Sequence, residues 1–230
     1  MKTVIVGGVA AGMSAAARLR RLDEQATIVV LERDSYVSYA NCGLPYHIGG
    51  DIPERDKLLV ATPEYLRTTL ALDVRTEHEV VAIDRLAKTV TVRDLAHGSE
   101  YTEAYDALVL TLGGEPIRPA VPGIGHPRIV TLRSIPDMDR INAQIDDRAQ
   151  HAVVIGGSYI GFEMVEALRK RGLAVSLVEL QQQIIPLFDP EMAAALELHL
   201  EQHHVRLHLG TAAQSFCDVE GRVEITLENG

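Results

Sequence analysis

Apolar and polar positions recur with two different periods along this chain, and the switches between them mark its elements. Thr3 to Val6 is a β-branched run that predicts a strand. Residues 12–22 (GMSAAARLRRL) are alanine-rich with helical spacing. Thr27 to Leu31 (TIVVL) is almost wholly apolar, the pattern of a strand in a parallel sheet covered on both faces. The same grammar returns about 150 residues later, as an internal duplication of architecture. There Ala152 to Ile155 predicts a strand, Ile160 to Arg171 a helix ending at Gly172, and Ala174 to Val178 a second strand. Between the copies, residues 79–111 alternate (VVAID, KTVTVRD, ALVLTL), which predicts an antiparallel meander leading into a buried strand.

Residues 113–127 (GGEPIRPAVPGIGHP) hold four of the ten prolines and predict a connection, because proline neither donates to a ladder nor continues a helix. Residues 222–227 (RVEITL) alternate as a strand and lead into Glu228-Asn229-Gly230, a turn-like ending that invites a further strand. The expectation is that the chain is part of a longer protein.

Composition narrows the classes. With 47% hydrophobic and 23% charged residues in 230, disorder and collagen-like repeats are excluded. Lys plus Arg number 22 against 32 Asp plus Glu, a net charge of −10 that argues against nucleic-acid and membrane-surface partners, which need a basic footprint. No apolar run approaches the roughly 18–20 residues of a membrane span. Two distant cysteines, Cys42 and Cys217, form no disulfide framework. A soluble, cytoplasmic protein is expected.

The chemistry begins at Gly7-Gly8-Val9-Ala10-Ala11-Gly12, set between a strand and a helix. In a dinucleotide fingerprint the first glycine makes the tight turn, the second admits the pyrophosphate and the third lets helix pack on strand. Here Gly7 and Gly12 match, while Val9 holds the middle position with Gly8 shifted by one. Helix N-terminal amides would face the pyrophosphate, and Glu32, ending the second strand, would accept the ribose hydroxyls. The second copy is Gly156-Gly157-Ser158-Tyr159-Ile160-Gly161, with Glu179 ending the next strand. Glu179 favours NADH over NADPH, since a 2′-phosphate would meet like charge and Leu180, Gln181 and Gln182 supply no arginine.

Cys42 lies in Ser38-Tyr39-Ala40-Asn41-Cys42-Gly43-Leu44-Pro45-Tyr46-His47, ten residues past Glu32. Pro45 suits a first helical turn, which would put Cys42 near a helix N-terminus, where amide dipoles stabilise a thiolate. Both fingerprints, the run SYANCGLPYHIG and the later TLRSIPDMDRI (Thr131 to Ile141) resemble the single-cysteine flavin disulfide reductases. That group comprises coenzyme A-disulfide reductases, NADH-dependent persulfide reductases and NADH oxidases. Relatives with two redox cysteines place the second five positions after the first; here that position is His47.

The resemblance implies an α/β fold of two Rossmann-like dinucleotide-binding units, of the glutathione reductase type, ending before a C-terminal dimerisation domain. It implies a FAD domain over residues 1–113, a connection over 114–149 and an NADH domain over 150–230. Electrons would pass from NADH through FAD to Cys42, which attacks a sulfur of a small disulfide or persulfide substrate and releases a thiol. Gly7 to Gly12, Glu32, Arg33 and Gly113 match FAD positions. Gly156 to Gly161, Glu163 and Glu179 match NADH positions. Ser14, Arg18, Arg21, Ser38 and Asn41 match coenzyme A contacts, although Leu70 stands where those reductases use a lysine. The resemblance also implies a homodimer. The family's second FAD motif and its C-terminal tyrosines lie outside these residues, so weak FAD retention and an inactive nucleotide-binding module stand as alternatives, beside an NADH oxidase working through a cysteine sulfenate.

Remaining candidates carry less. Cys217, in SFCDVEG, has no basic neighbour, and a structural role is expected. His199, His203, His204 and His208 fall where a helix (PEMAAALELHLEQHH) runs into a strand, without an accompanying ligand set, and no metal is expected. Tyr159 could cover the flavin until nicotinamide arrives.

Overall fold

A computed structural model describes residues 1–146 and 149–230. Residues 147 and 148, inside the predicted 114–149 connection, lie outside the described residues. The chain divides into two units, Met1–Asn41 with Arg55–Glu115, and Cys42–Glu54 with Pro116–Gly230.

In the first unit β1 (Lys2–Val6), α1 (Ala10–Leu22) and β2 (Thr27–Leu31) form a β-α-β unit with β1 and β2 parallel and adjacent. The helix α3 (Pro63–Leu70) leads into β3 (Asp73–Arg75), which pairs with β2. Thr62 caps α3, accepting from the Tyr65 N–H, and Pro63 sits where no amide donor is needed. The alternating segment folds as predicted into an antiparallel meander, β4 (His78–Asp84), β5 (Thr89–Asp94) and β6 (Ser99–Ala104). The chain then adds β7 (Ala107–Leu110) beside β1, giving a sheet of order β3-β2-β1-β7.

The apolar run of β2 is continuous because successive side chains feed two cores. Ile28 and Val30 join Ile5, Met13, Ala16 and Leu66 on the helical side. Val29 and Leu31 join Val4 and Val6 against Val90 and Val92 of the meander. The buried strand expected at ALVLTL is corrected: β7 is an edge strand, so Ala107 to Val109 are only half-buried and Leu110 is exposed.

The second unit repeats the plan. Strands β8 (His151–Ile155), β9 (Ala174–Glu179) and β10 (Val205–Leu209) form a parallel sheet of order β10-β9-β8. They are linked by α5 (Tyr159–Lys170) and α6 (Pro190–Gln202). His208 lies in β10, past the helix, as expected. Preceding this sheet, α4 (Ile135–Asp146) starts where the Asp137 carboxylate accepts from the Arg133 and Ser134 amides and the Ser134 hydroxyl. That cap gives the run TLRSIPDMDRI a physical reason. Burial would raise the Asp137 pKa, but these hydrogen bonds and the one from Arg140 outweigh it and hold the carboxyl below its usual range.

The strand predicted over 222–227 is β12 (Arg222–Leu227). It is the returning arm of a hairpin with β11 (Ala213–Val219), so the turn-back expected after it already precedes it. The short helix α2 (Leu44–Gly49), after a 3-10 turn at Asn41–Gly43, also belongs to the second unit. No helix among the described residues is long and apolar enough to cross a membrane.

Candidate functional site

Each glycine turn is built twice in the same way. Gly7 and Gly156 follow β1 and β8 with φ of 100° and 103°, a region open to glycine at no steric cost. Their N–H groups donate to the ends of the neighbouring strands, at Leu31 and Val178, both at 2.8 Å. A Cβ on Gly12 would overlap the Gly7 carbonyl oxygen, and one on Gly161 the Gly156 carbonyl oxygen. In both copies a helix therefore starts tight against its turn.

The shifted second glycine has its own reason. Gly8 N–H donates to Glu32 Oε2 at 2.7 Å while Glu32 Oε1 accepts from Asp34 N–H at 3.0 Å. Gly157 N–H donates to Glu179 Oε2 at 2.6 Å while Glu179 Oε1 accepts from Gln181 N–H at 2.8 Å. Both carboxylates are buried, at 8% exposure. A side chain at Gly8 would come 3.2 Å from Glu32 Cβ and 2.8 Å from a Val37 methyl, and one at Gly157 would come 3.3 Å from Glu179 Cβ. The glycine lets the acid's stem pass close enough for its carboxylate to reach the amide. A last feature repeats: the residue six past each acid, Ser38 or Ile185, donates its N–H to the second glycine's carbonyl, at 2.9 and 2.8 Å. Both adopt positive φ, 48° and 43°, unusual for any side chain and a genuine outlier for isoleucine.

A dinucleotide fits this cradle. Val9 and Ser158 are the N-cap positions of α1 and α5, and neither makes a side-chain cap bond, so the first amides of both helices have no cap side chain in front of them. Each carboxylate oxygen has one backbone donor and retains lone-pair capacity for a ribose hydroxyl.

The other predicted residues distribute unevenly. Ser14, Arg18 and Arg21 share one exposed face of α1. Arg20, by contrast, is spent on the carbonyls of Leu70, Glu24 and Ala71. Leu70 itself packs on the helical-side core. Arg33 pairs with Glu115 at 2.6 Å, and that hydrogen bond is the main reason its pKa is raised. Gly113 is exposed, with φ of 69°. Ser38 serves through its backbone, its carbonyl also accepting from Val60 and Ala61. Asn41 opens the 3-10 turn and is exposed.

Cys42 occupies the middle of that turn, exposed, two residues before α2, which has Pro45 in its first turn as predicted. The helix is only six residues long. His47 is turned to the Ile52 carbonyl at 2.6 Å, a local turn contact. Within the same unit, Tyr46 Oη donates to Glu163 at 3.3 Å, and the charge of Glu163 is the largest cause of the raised Tyr46 pKa. Tyr159 is half-exposed, its ring edge-on to Phe188 at 6.2 Å between centroids. Cys217 is exposed on β11, and no group of three or more His, Cys, Asp or Glu able to hold a metal occurs among the described residues. The sequence did not single out Thr111. Its hydroxyl lies 2.8 and 2.9 Å from the Val6 and Gly7 carbonyls, and its own carbonyl occupies the space a Gly7 side chain would need.

The two glycine turns and their acids repeat one construction, the kind found in dinucleotide-binding folds. The whole chain, residues 1–230, matches the pyridine nucleotide-disulphide oxidoreductase family, and it belongs to that family. It is 35% identical to the coenzyme A disulfide reductase of Staphylococcus haemolyticus over 218 residues, 94% of this chain and 49% of that protein. The structure of reduced Bacillus anthracis CoADR-RHD matches with a TM-score of 0.96 at 48% identity, covering 100% of this chain and 41% of that one. The NAD-dependent persulfide reductase from A. fulgidus matches with a TM-score of 0.96 at 36% identity, covering 100% and 43%. The chain spans about half the length of the curated relatives it matches.

Proposed function

We propose that this chain is the nucleotide-binding part of a FAD-dependent, NADH-using oxidoreductase that reduces a disulfide or persulfide of the coenzyme A class through Cys42. The observation that carries the reading is the repeated clamp, Gly8 on Glu32 and Gly157 on Glu179, which prepares two dinucleotide sites in one chain. FAD on the first turn and NADH on the second would supply the two electrons.

Gly7 to Gly12 offer amides to the FAD pyrophosphate, Glu32 accepts from its ribose, and Arg33 and Gly113 border it. Gly156 to Gly161 and Glu179 hold NADH in the same way, with Tyr159 and Glu163 beside the turn. The Glu179 carboxylate and the uncharged Leu180, Gln181 and Gln182 favour NADH over NADPH. Arg18 and Arg21, with Ser14, Ser38 and Asn41, would bind the phosphates and polar parts of the thiol carrier.

On a disulfide, the Cys42 thiolate bonds to one sulfur as the S–S bond breaks and the other thiolate leaves. On a persulfide it takes the outer sulfur and the thiol leaves. Two electrons and a proton then cleave the new S–S bond, restoring Cys42 and releasing the second thiol or sulfide. A cytoplasmic homodimer, with FAD, connecting and NADH segments at 1–113, 114–149 and 150–230, completes the proposal.

The test compares NADH consumption with coenzyme A disulfide, coenzyme A persulfide and dioxygen, and repeats it with NADPH. Sulfur-dependent turnover that disappears in Cys42→Ser supports the reading. Turnover with dioxygen alone points to an oxidase, and a preparation that binds neither nucleotide overturns the proposal.

A further inference from the structure

The segment carrying Cys42 cannot hold itself in place. Its helix α2 has six residues, far fewer than an isolated helix needs for stability, so its position comes from what fastens it. Within the second unit, where Leu44, Pro45 and Ile48 of α2 are buried, the contacts that tie it to α4 and α5 include the following four. Tyr46 reaches Glu163 with a long hydrogen bond at an exposed site. Lys170 Nζ lies 2.9 Å from Asp51, a solvent-exposed pair of the kind that contributes little. Gly49 lies so near Ala167 that a Cβ on it would come 3.1 Å from the α-carbon of Ala167, a matter of fit rather than attachment.

Arg171 differs from all three. It follows α5 directly and is 28% exposed. Its Nη1 donates to the Ile48 carbonyl at 3.0 Å and to Asn142 Oδ1 at 3.1 Å, while Nη2 reaches Asp146 Oδ1 at 2.6 Å. Ile48 is fully buried, and its carbonyl is one of those a helix end leaves without an intrahelical partner. A buried acceptor left unmet is costly, so the guanidinium answers a need the helix cannot meet alone. The planar fork serves acceptors on two elements at once, which an ammonium group does not reproduce.

We propose that Arg171 is a positioning residue for Cys42: by joining the end of α2 to α4 and α5, it helps set where the thiol sits. One helix, α5, thus begins at the nucleotide-binding turn and is followed at its other end by the clamp on the cysteine segment. The inference rests on Cys42 as the redox thiol, and its test separates the two claims.

The test compares Arg171→Ala and Arg171→Lys with the wild type in three measurements. These are hydrogen exchange over residues 44–52, maleimide labelling of Cys42 with Cys217 as internal reference, and NADH-driven turnover of coenzyme A disulfide. In Arg171→Ala, exchange over 44–52 should rise on the order of tenfold, the effect on a local opening of losing one charge-assisted hydrogen bond. Cys42 labelling should change with it while Cys217 labelling does not. Turnover should fall at unchanged NADH affinity, and Arg171→Lys should recover only part of each effect. Unaltered exchange and labelling, or a change shared equally by Cys217, overturns the proposal. Should Arg171→Ala not fold, Asn142→Ala and Asp146→Asn remove its acceptors singly and must show the same selective change, smaller; none in either also overturns it. A Cys42→Ser protein that keeps full turnover defeats the redox role of Cys42 while leaving the exchange result to judge the clamp.

Discussion

Replacing Glu179 by glutamine tests the clamp at the second glycine turn with almost no change of shape. The carboxylate accepts from two amides, Gly157 N–H at 2.6 Å and Gln181 N–H at 2.8 Å, from a site only 8% exposed. Glutamine keeps one acceptor oxygen, so one amide then faces the NH2 group, donor against donor. A hydrogen bond to a charged group contributes about 1.5–3 kcal/mol, and a buried donor left unmet costs about 1–3 kcal/mol. Together they loosen the turn by about 3 kcal/mol, a factor above 100 if all of it reaches the nucleotide. NADH affinity, followed by quenching of nicotinamide fluorescence, is expected to fall at least tenfold. Glu32→Gln in the first copy is the control and should leave NADH affinity unchanged. An NADH affinity in Glu179→Gln equal to wild type would mean that the Gly157–Glu179 clamp does not shape the nucleotide site.

Three further outcomes follow from the same structure. Gly7→Ala sets a side chain at φ 100° into the space of the Thr111 carbonyl, and flavin content after reconstitution should fall below detection while NADH affinity persists. Arg18→Ala and Arg21→Ala should each raise the KM for a coenzyme A disulfide about tenfold with kcat little changed, and the difference should shrink in high salt, where phosphate contacts are screened. Glu103 is buried between Lys2 and Arg75; burial pushes its pKa up, but the hydrogen bonds from these cations outweigh it and hold the carboxyl below the ordinary 4.5. A depressed folded value means stability that is present above pH 4.5 and lost as pH falls through the lower folded pKa. Thermal melts of Glu103→Gln against wild type should differ at neutral pH by about 1–3 kcal/mol and converge in acid.

Much of this architecture was legible because each local signal agreed with the tertiary outcome. Ile28 to Leu31 are all apolar because alternate side chains enter different cores, and that pattern alone assigns the run to a covered parallel sheet. The second β-α-β unit reads as plainly, with α5 displaced by one residue from the predicted helix. What the sequence hid is long-range. β7 carries the same apolar letters as a central strand, and only its pairing partner on one side reveals an edge. Positive φ at Ile185 runs against every local preference, since the loop after Glu179 is fixed by the Gly157 carbonyl rather than by propensity. Arg171 reads as an ordinary helix-terminal cation until Ile48, 123 positions earlier, is found beneath it. Thr111 acts through a hydroxyl and a carbonyl, for which composition and spacing give no signal.

The role proposed for Cys42 is that of the sulfur that exchanges with substrate. Its most direct measurement mixes the protein, reduced by NADH under anaerobic conditions, with a coenzyme A disulfide, quenches within one turnover, and locates the mixed disulfide by mass spectrometry. The adduct is expected on the peptide containing Cys42, absent from Cys42→Ser and unchanged in Cys217→Ser. An adduct on Cys217, or continued turnover with no adduct and with Cys42 replaced, would contradict that role.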